Sequence, residues 1–141
     1  MRIGFDTTAL STLQSGVGSY TANMLAHLQH LPDAELICLS HLNADGRRSL
    51  NKTLWMQLVL PLQINRLDLN ICHFTNNVAP VNPRCPMVVT IHDMTLWLYP
   101  EYHYFKRLIS MRPLIPLAAR RANAIITVSH SAKNDIVNIL R

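Results

Sequence analysis

Five short apolar runs, separated mostly by stretches of helical pattern, leave this chain very few architectures to choose from. The runs are residues 1–6, 35–40, 69–74, 87–91 and 124–128. The fourth, Met87-Val88-Val89-Thr90-Ile91, is the cleanest, bounded by Pro86 on one side and His92-Asp93 on the other. It is apolar without alternation and partly β-branched, as expected of a strand covered on both faces of a parallel sheet. Strands of this kind alternating with helices predict an α/β fold, an open and mostly parallel sheet with helices on both faces.

The helical segments follow from spacing. Val17, Tyr20, Met24, Leu28 and Leu31 recur at intervals of three and four, which predicts a helix over 17–31 ended by Pro32-Asp33. Residues 43–46 (Asn-Ala-Asp-Gly) read as a turn. A second helix is expected over 49–60, with Leu50, Leu54, Leu58 and Trp55 on its apolar side and Pro61 interrupting it. Residues 75–86, rich in Asn and Pro, read as a loop. Residues 102–121 carry a helical pattern that Pro113 and Pro116 must kink or split. Ser129 is placed to cap a last helix whose Ala132, Ile136, Ile139 and Leu140 face inward.

The first strand leads through a polar loop into Ser15-Gly16-Val17-Gly18-Ser19-Tyr20, where a helix begins. A helix start carries unpaired N–H groups and a partial positive charge, so it can receive an anion, and glycine lets a ligand approach the backbone. Ligands of open α/β sheets bind beyond the carboxyl ends of the strands. Small and polar residues gather at those ends here, in 6–18, 73–77, 92–93 and 129–131.

Composition excludes several classes. With 49% hydrophobic and 15% charged residues, the 141-residue chain is globular and has the length of a single domain. Its net charge of +5 permits an acidic partner, but no dense Lys/Arg run with interleaved aromatics points to nucleic acid. Cys38, Cys72 and Cys85 have neither CxxC spacing nor an even count, so neither a disulfide framework nor a zinc site is expected. Cys38 and Cys72 fall in strands and are expected to be buried, and Cys85, in a proline-rich loop, at the surface. This usage fits a reducing compartment, and the first residues do not read as a signal peptide. Arg47, Arg48 and Lys52 precede Trp55. They are either a solvated face beside a core-facing Trp or a basic patch docking on an anionic membrane.

With these segments assembled, the chain resembles the N-terminal domain of the group 1, or family 4, retaining glycosyltransferases, enzymes with two facing Rossmann-like domains. The resemblance is carried by Ile3-Gly4-Phe5-Asp6 with the glycine segment 15–20, by Trp55-Met56-Gln57-Leu58 with Leu60-Pro61, and by His73-Phe74 with Val78-Ala79-Pro80. It continues through Val88 to Asp93, Pro100-Glu101, Ala124 to Ser129, and Ser131-Ala132-Lys133. It implies that residues 1–141 form the acceptor-side domain, cut near its C-terminal end, without the domain that holds the nucleotide sugar. That missing domain, in the same chain or a separate subunit, is then a partner. A nucleoside diphosphate sugar is implied as co-substrate, with no permanently bound cofactor and no metal, and a sugar or lipid-linked acceptor. A cytoplasmic location follows from the resemblance, with peripheral contact at the inner membrane surface as a further option.

The resemblance also assigns roles. His92 contacts the donor sugar near the reacting carbon and is the catalytic candidate. Gly16, Val17 and Gly18 face the donor diphosphate or the acceptor. Asp6, Asn76, Asn77 and Tyr99 are candidates for the acceptor side, Asp6 equally as a brace for its loop. Asp93 suits a cap for the segment that follows. Two other functions compete: a non-catalytic module pairing with a separate chain, and a dinucleotide-binding oxidoreductase domain. The latter is disfavoured because Thr21 stands where the third glycine of G-x-G-x-x-G would be, and Ser40 and His41, not an acid, end the second strand.

Overall fold

A computed structural model describes residues 1–12, 15–41 and 51–141. Five parallel strands form one open sheet in the order β2-β1-β3-β4-β5, with β1 Arg2–Asp6, β2 Glu35–Leu39, β3 Ile71–Phe74, β4 Met87–Thr90 and β5 Ala124–Ile126. The helices are α1 Gly16–Leu28, α2 Lys52–Leu54, α3 Leu60–Arg66, α4 Thr95–Leu98, α5 Phe105–Met111, α6 Leu114–Arg121 and α7 His130–Leu140. The expected α/β class and parallel sheet are those observed.

Strand periodicity divides the core in two. Cys72, Phe74, Met87 and Val89 pack with Trp55, Met56, Leu60 and Ile64 of the α2–α3 segment and with Ile115 and Ala118 of α6. The alternate positions, Phe5, His73 and Thr90, lie on the other face, where Phe5 packs edge-on against His73 and Thr90 meets Tyr20 of α1. Both faces carry apolar side chains, and this one adds the buried polar pair His73 and Thr90.

Helix ends follow local chemistry. The Oγ of Ser15 accepts from the N–H of Gly18 at 3.0 Å and starts α1. The helix stops at Leu28, short of the expected 31, and tightens into i→i+3 bonds from His30 to His27 and from Leu31 to Leu28 before Pro32. Its fully buried positions are Gly18 and Thr21, while Val17, Tyr20, Met24 and Leu28 are half-buried. Pro113 separates α5 from α6, whereas Pro116 falls in the first turn of α6, where its missing N–H costs nothing. Ser129 caps α7 by accepting from the N–H of Ala132, and Ala132 and Ile136 are buried as expected.

Pro61 does not interrupt the second helical segment. The chain widens into a π-helical turn over Trp55–Val59, in which the N–H of Leu60 reaches back to the carbonyl of Trp55. Pro61 then sits in the first turn of α3. The extra residue rotates the apolar side: Trp55 and Met56 are buried, and Leu54 and Leu58 are 52% and 63% exposed. Trp55 thus faces the core. Leu50, Arg47, Arg48 and the turn at 43–46 lie outside the described residues. Cys38 is exposed because β2 is an edge strand, paired with β1 alone. Cys85 is buried instead, its Sγ 3.3 Å from that of Cys72. No helix among the described residues is long and apolar enough to cross a membrane.

A Cβ placed on Gly4, at the centre of β1, would lie 2.6 Å from the Leu69 Cδ1 and 3.1 Å from the Cys72 Sγ. Gly4→Ala should therefore cost about 1–3 kcal/mol through overpacking, read as a lower urea midpoint; an unchanged midpoint would show that Leu69 swings clear.

Candidate active site

Because every strand runs the same way, all their carboxyl ends lie along one edge. Connections from β1 and β3 leave in opposite directions at their shared boundary, the place where such sheets bind ligands. There the buried hydroxyl of Thr21 donates to Thr75 Oγ1 at 3.1 Å, and Thr75 Oγ1 donates to the carbonyl of Asp6 at 3.1 Å. This chain ties α1 to the ends of β3 and β1. Position 21 therefore holds a structural hydroxyl where a dinucleotide fold would have glycine.

The start of α1 opens beside this tie. Ser15 uses the N–H of Gly18, but those of Gly16 and Val17 have no partner among the described residues. A Cβ on Gly16 would meet nothing within 4 Å. The fold itself does not demand glycine at this position.

His92 follows β4. Its ring Nε2 lies 2.8 Å from the carbonyl of Thr75, and its backbone N–H donates to Asn77 Oδ1 at 2.8 Å. A carbonyl can only accept, so Nε2 carries the proton and Nδ1, without a partner among the described residues, is left for a ligand. The Tyr20 ring meets the His92 ring edge-on, with centroids 5.0 Å apart. Tyr20 is in the second turn of α1, so this contact brings α1 against His92 at the carboxyl edge of the sheet. Behind them Thr90 Oγ1 bridges the Tyr20 hydroxyl at 3.1 Å and His73 Nε2 at 2.8 Å. Burial lowers the His73 pKa, which favours the neutral ring in this network.

Asp6 is fully buried at the end of β1. Its Oδ1 accepts from the N–H of Thr8 at 2.9 Å, and its Oδ2 has no partner among the described residues. Desolvation raises its pKa, opposed by the Thr8 hydrogen bonds and more weakly by the charges of Lys52 and His41. Burying a carboxylate costs several kcal/mol against ~1.5–3 for a hydrogen bond to a charged group, so burial wins. Asp6 braces its loop. Asp93 accepts from the N–H of Thr95 at 2.9 Å, at the start of α4.

Asn76 and Asn77 line a cavity of about 310 Å³ together with Lys52, Thr53, Gln57 and Arg107. Asn77, at φ 56°, spends its Oδ1 on His92, while the Asn76 side chain has no partner among the described residues. Gln57 holds the far side of this loop, donating to the carbonyl of Ala79 at 3.1 Å and accepting from the N–H of Val81 at 2.9 Å. Tyr99 does not line the cavity; it is exposed at the end of α4.

The glycosyltransferase family 4 model matches residues 15–141. The chain belongs to glycosyltransferase family 4. It corresponds to an N-terminal domain of that family, and the match takes in α1, His92 and the whole cavity while leaving out β1 and Asp6. No curated protein and no solved structure matches the chain. Within this family 4 domain, sequence reasoning overlooked Tyr20, Thr21, Gln57 and Thr90 as organisers of the site. The available signal was Thr21, a polar residue beside the apolar stripe of α1, where it turns out to be buried.

The raised pKa of Asp6 has a definite sign. Between its unfolded value of 3.8 and its higher folded value, the native state binds more protons than the unfolded chain. Its contribution to stability is therefore full below pH 3.8 and is lost as pH rises through the folded value. Relative to Asp6→Asn, the native protein should lose thermal stability as pH is raised from about 4 to 7; parallel Tm profiles would contradict the burial argument.

Proposed function

We propose that this family 4 domain is the acceptor-side half of a retaining glycosyltransferase. It would move a sugar from a nucleoside diphosphate donor to a hydroxyl group in the assembly of polysaccharide, lipopolysaccharide or glycolipid. The observation that supports this best is the approach of two chemistries at one edge of the sheet. N–H groups at the start of α1 and the Nδ1 of His92, all without partners among the described residues, are linked through the Tyr20–His92 contact at 5.0 Å. A nucleotide-binding domain, in the same chain or another, would close over this edge and present the donor.

The reaction asks for little beyond positioning and charge stabilisation. The acceptor oxygen forms a bond to the anomeric carbon as the bond from that carbon to the diphosphate breaks, with configuration kept. The acceptor hydroxyl passes its proton to the departing diphosphate oxygen, which keeps the electron pair of the broken bond. N–H groups at the helix start lie where such charge can be met, and they need no reorganisation when it develops. His92 Nδ1 would hydrogen-bond a donor-sugar hydroxyl and fix the ring, its own orientation set by the Thr75 carbonyl. Asn76 and Asn77, which line the cavity, would hold the acceptor.

Two substitutions in the full-length enzyme, assayed against a panel of nucleotide sugars, test this. His92→Ala should lower turnover by well over about tenfold, equivalent to more than ~1.4 kcal/mol of transition-state stabilisation, while costing only about 1 kcal/mol of stability. Near-normal turnover would remove His92 from the chemistry. Gly16→Ala should leave stability unchanged or raise it by up to ~1 kcal/mol through helix propensity, yet reduce kcat/KM for the donor about tenfold. If it leaves the donor parameter untouched, the anion is bound elsewhere.

A further inference from the structure

The amino edge of the sheet, opposite the candidate active site, carries a pair of thiols that glycosyl transfer leaves unused. Cys72 is the second residue of β3, and Cys85 stands two residues before β4. The N–H of Cys72 donates to the carbonyl of Pro86 at 2.8 Å, so strand pairing itself holds the two cysteines as neighbours. The Cys72 thiol donates to the Cys85 sulfur at 3.3 Å, and the Cys85 thiol faces the carbonyls of Leu69 and Pro86 at 3.4 and 3.5 Å. A disulfide bond is about 2.05 Å long, so roughly 1.3 Å of further approach separates this contact from a covalent bridge.

The two sulfurs are not equivalent. Cys72 is fully buried, whereas Cys85 is 8% exposed and forms part of a surface groove of about 250 Å³. A reagent from solvent therefore meets Cys85 first. The hydrogen bond between them adds to the asymmetry. Burial raises the pKa of both thiols, but the bond donated by Cys72 partly offsets the rise at Cys85 and adds to it at Cys72. The groove is also charged, with Arg84 and Arg121 in its lining beside Asn123. Among the described residues no acid lines it, and neither arginine has an ion-pair or hydrogen-bond partner. One wall is pinned to the next strand: the N–H of Met87 donates to Asn123 Oδ1 at 2.9 Å, and that of Asn123 to the carbonyl of Met87 at 2.8 Å. Two guanidiniums beside a thiol suit a ligand that carries both carboxylate and sulfur.

We propose that Cys85 and Cys72 form a reversible thiol–disulfide site whose oxidant is a small disulfide bearing carboxylates, held by Arg84 and Arg121. Cys85, having released its proton to solvent, attacks one sulfur of the reagent. The reagent S–S bond breaks, and one reagent thiolate leaves with the electron pair and takes a proton from solvent. Cys72 then attacks the Cys85 sulfur, its proton passing to the second reagent thiolate as that departs. The protein gives up two electrons and two protons, and the reagent is reduced to two thiols. The bridge closes a loop that includes Asn76 and Asn77, and an excess of small thiol reopens it. This site stands whether or not the domain transfers sugars.

Bridging rates in the full-length protein carrying Cys38→Ser, which removes the exposed thiol, test the proposal. Three disulfides are compared at one pH: dithiodiglycolate, with two carboxylates; bis(2-hydroxyethyl) disulfide, uncharged; and cystamine, with two ammonium groups. Peptide mass spectrometry follows the loss of two hydrogens across the Cys72–Cys85 pair. Each rate is divided by that of the same reagent with a small uncharged thiol, which cancels intrinsic reactivity. The normalised rate for dithiodiglycolate should exceed that of the uncharged reagent by at least about fivefold, and cystamine should be the slowest. Combining Arg84→Ala with Arg121→Ala should cut the dianion's advantage to less than about twofold and leave the uncharged reagent as it was. Both side chains are exposed, and unchanged Tm values will verify the fold. Cys72→Ser should accumulate the reagent on Cys85, whereas Cys85→Ser should leave Cys72 unmodified. Equal normalised rates for the three reagents would overturn the carboxylate-bearing oxidant. Modification of Cys72 in Cys85→Ser would overturn the order of attack, and absence of a bridge with every reagent would overturn the site itself.

Discussion

The hydroxyl of Thr75 is the point through which this domain is organised. It accepts from Thr21 and donates to the carbonyl of Asp6, while the Thr75 carbonyl receives the His92 ring. One residue thus fixes α1 against the sheet, holds β1 to β3 at their carboxyl ends and selects the proton position on His92. The Thr21–Thr75–Asp6 links are buried, where a hydrogen bond left unmade costs about 1–3 kcal/mol. A rearrangement of α1 would therefore have to break several bonds at once. This edge of the sheet keeps its shape because the polar groups behind it are satisfied by one another.

The two faces of the sheet divide the labour. The face toward α2, α3 and α6 is apolar and interlocked through Trp55, Met56, Leu60, Phe74 and Ile115, which supplies non-directional stabilisation. The face toward α1 holds Tyr20, Thr21, His73, Thr75 and Thr90, whose contacts are directional. Stability comes mainly from the first and positional accuracy from the second. The Gln57 side chain connects the halves, clasping the loop after β3 from the apolar side and so setting where Asn76 and Asn77 stand.

How much of this could be read from the chain depends on which contacts are local. The strands were legible because a parallel strand buried on both faces leaves an unbroken apolar run, as in Met87–Thr90. The start of α1 and the cap at Ser129 were legible because a cap acts over three residues. His92 and the glycine segment stood out because both follow strands, and parallel strands share an edge. Burial of Cys85 was not legible, since it depends on Cys72 across a loop, nor was exposure of Cys38, which depends on β2 having one neighbour. The cavity was hidden for the same reason: Lys52 and Arg107 are far apart in sequence, and only folding sets them in one lining. Tyr99 sat close in sequence to the right elements but outside the cavity they enclose.

The widened turn at Trp55–Val59 has one more effect. Each residue added to or removed from a helix turns everything upstream by about 100° and shifts it ~1.5 Å. The single inserted residue thus sets the bearing of Lys52 at the cavity relative to α3, which keeps Leu60 and Ile64 in the core. A relative whose helix ran through this point in regular winding would carry the same lysine on a different bearing, and with it a differently charged doorway. Changes in what such a domain accepts could then arise from helical phase alone, with every side chain around the opening unaltered.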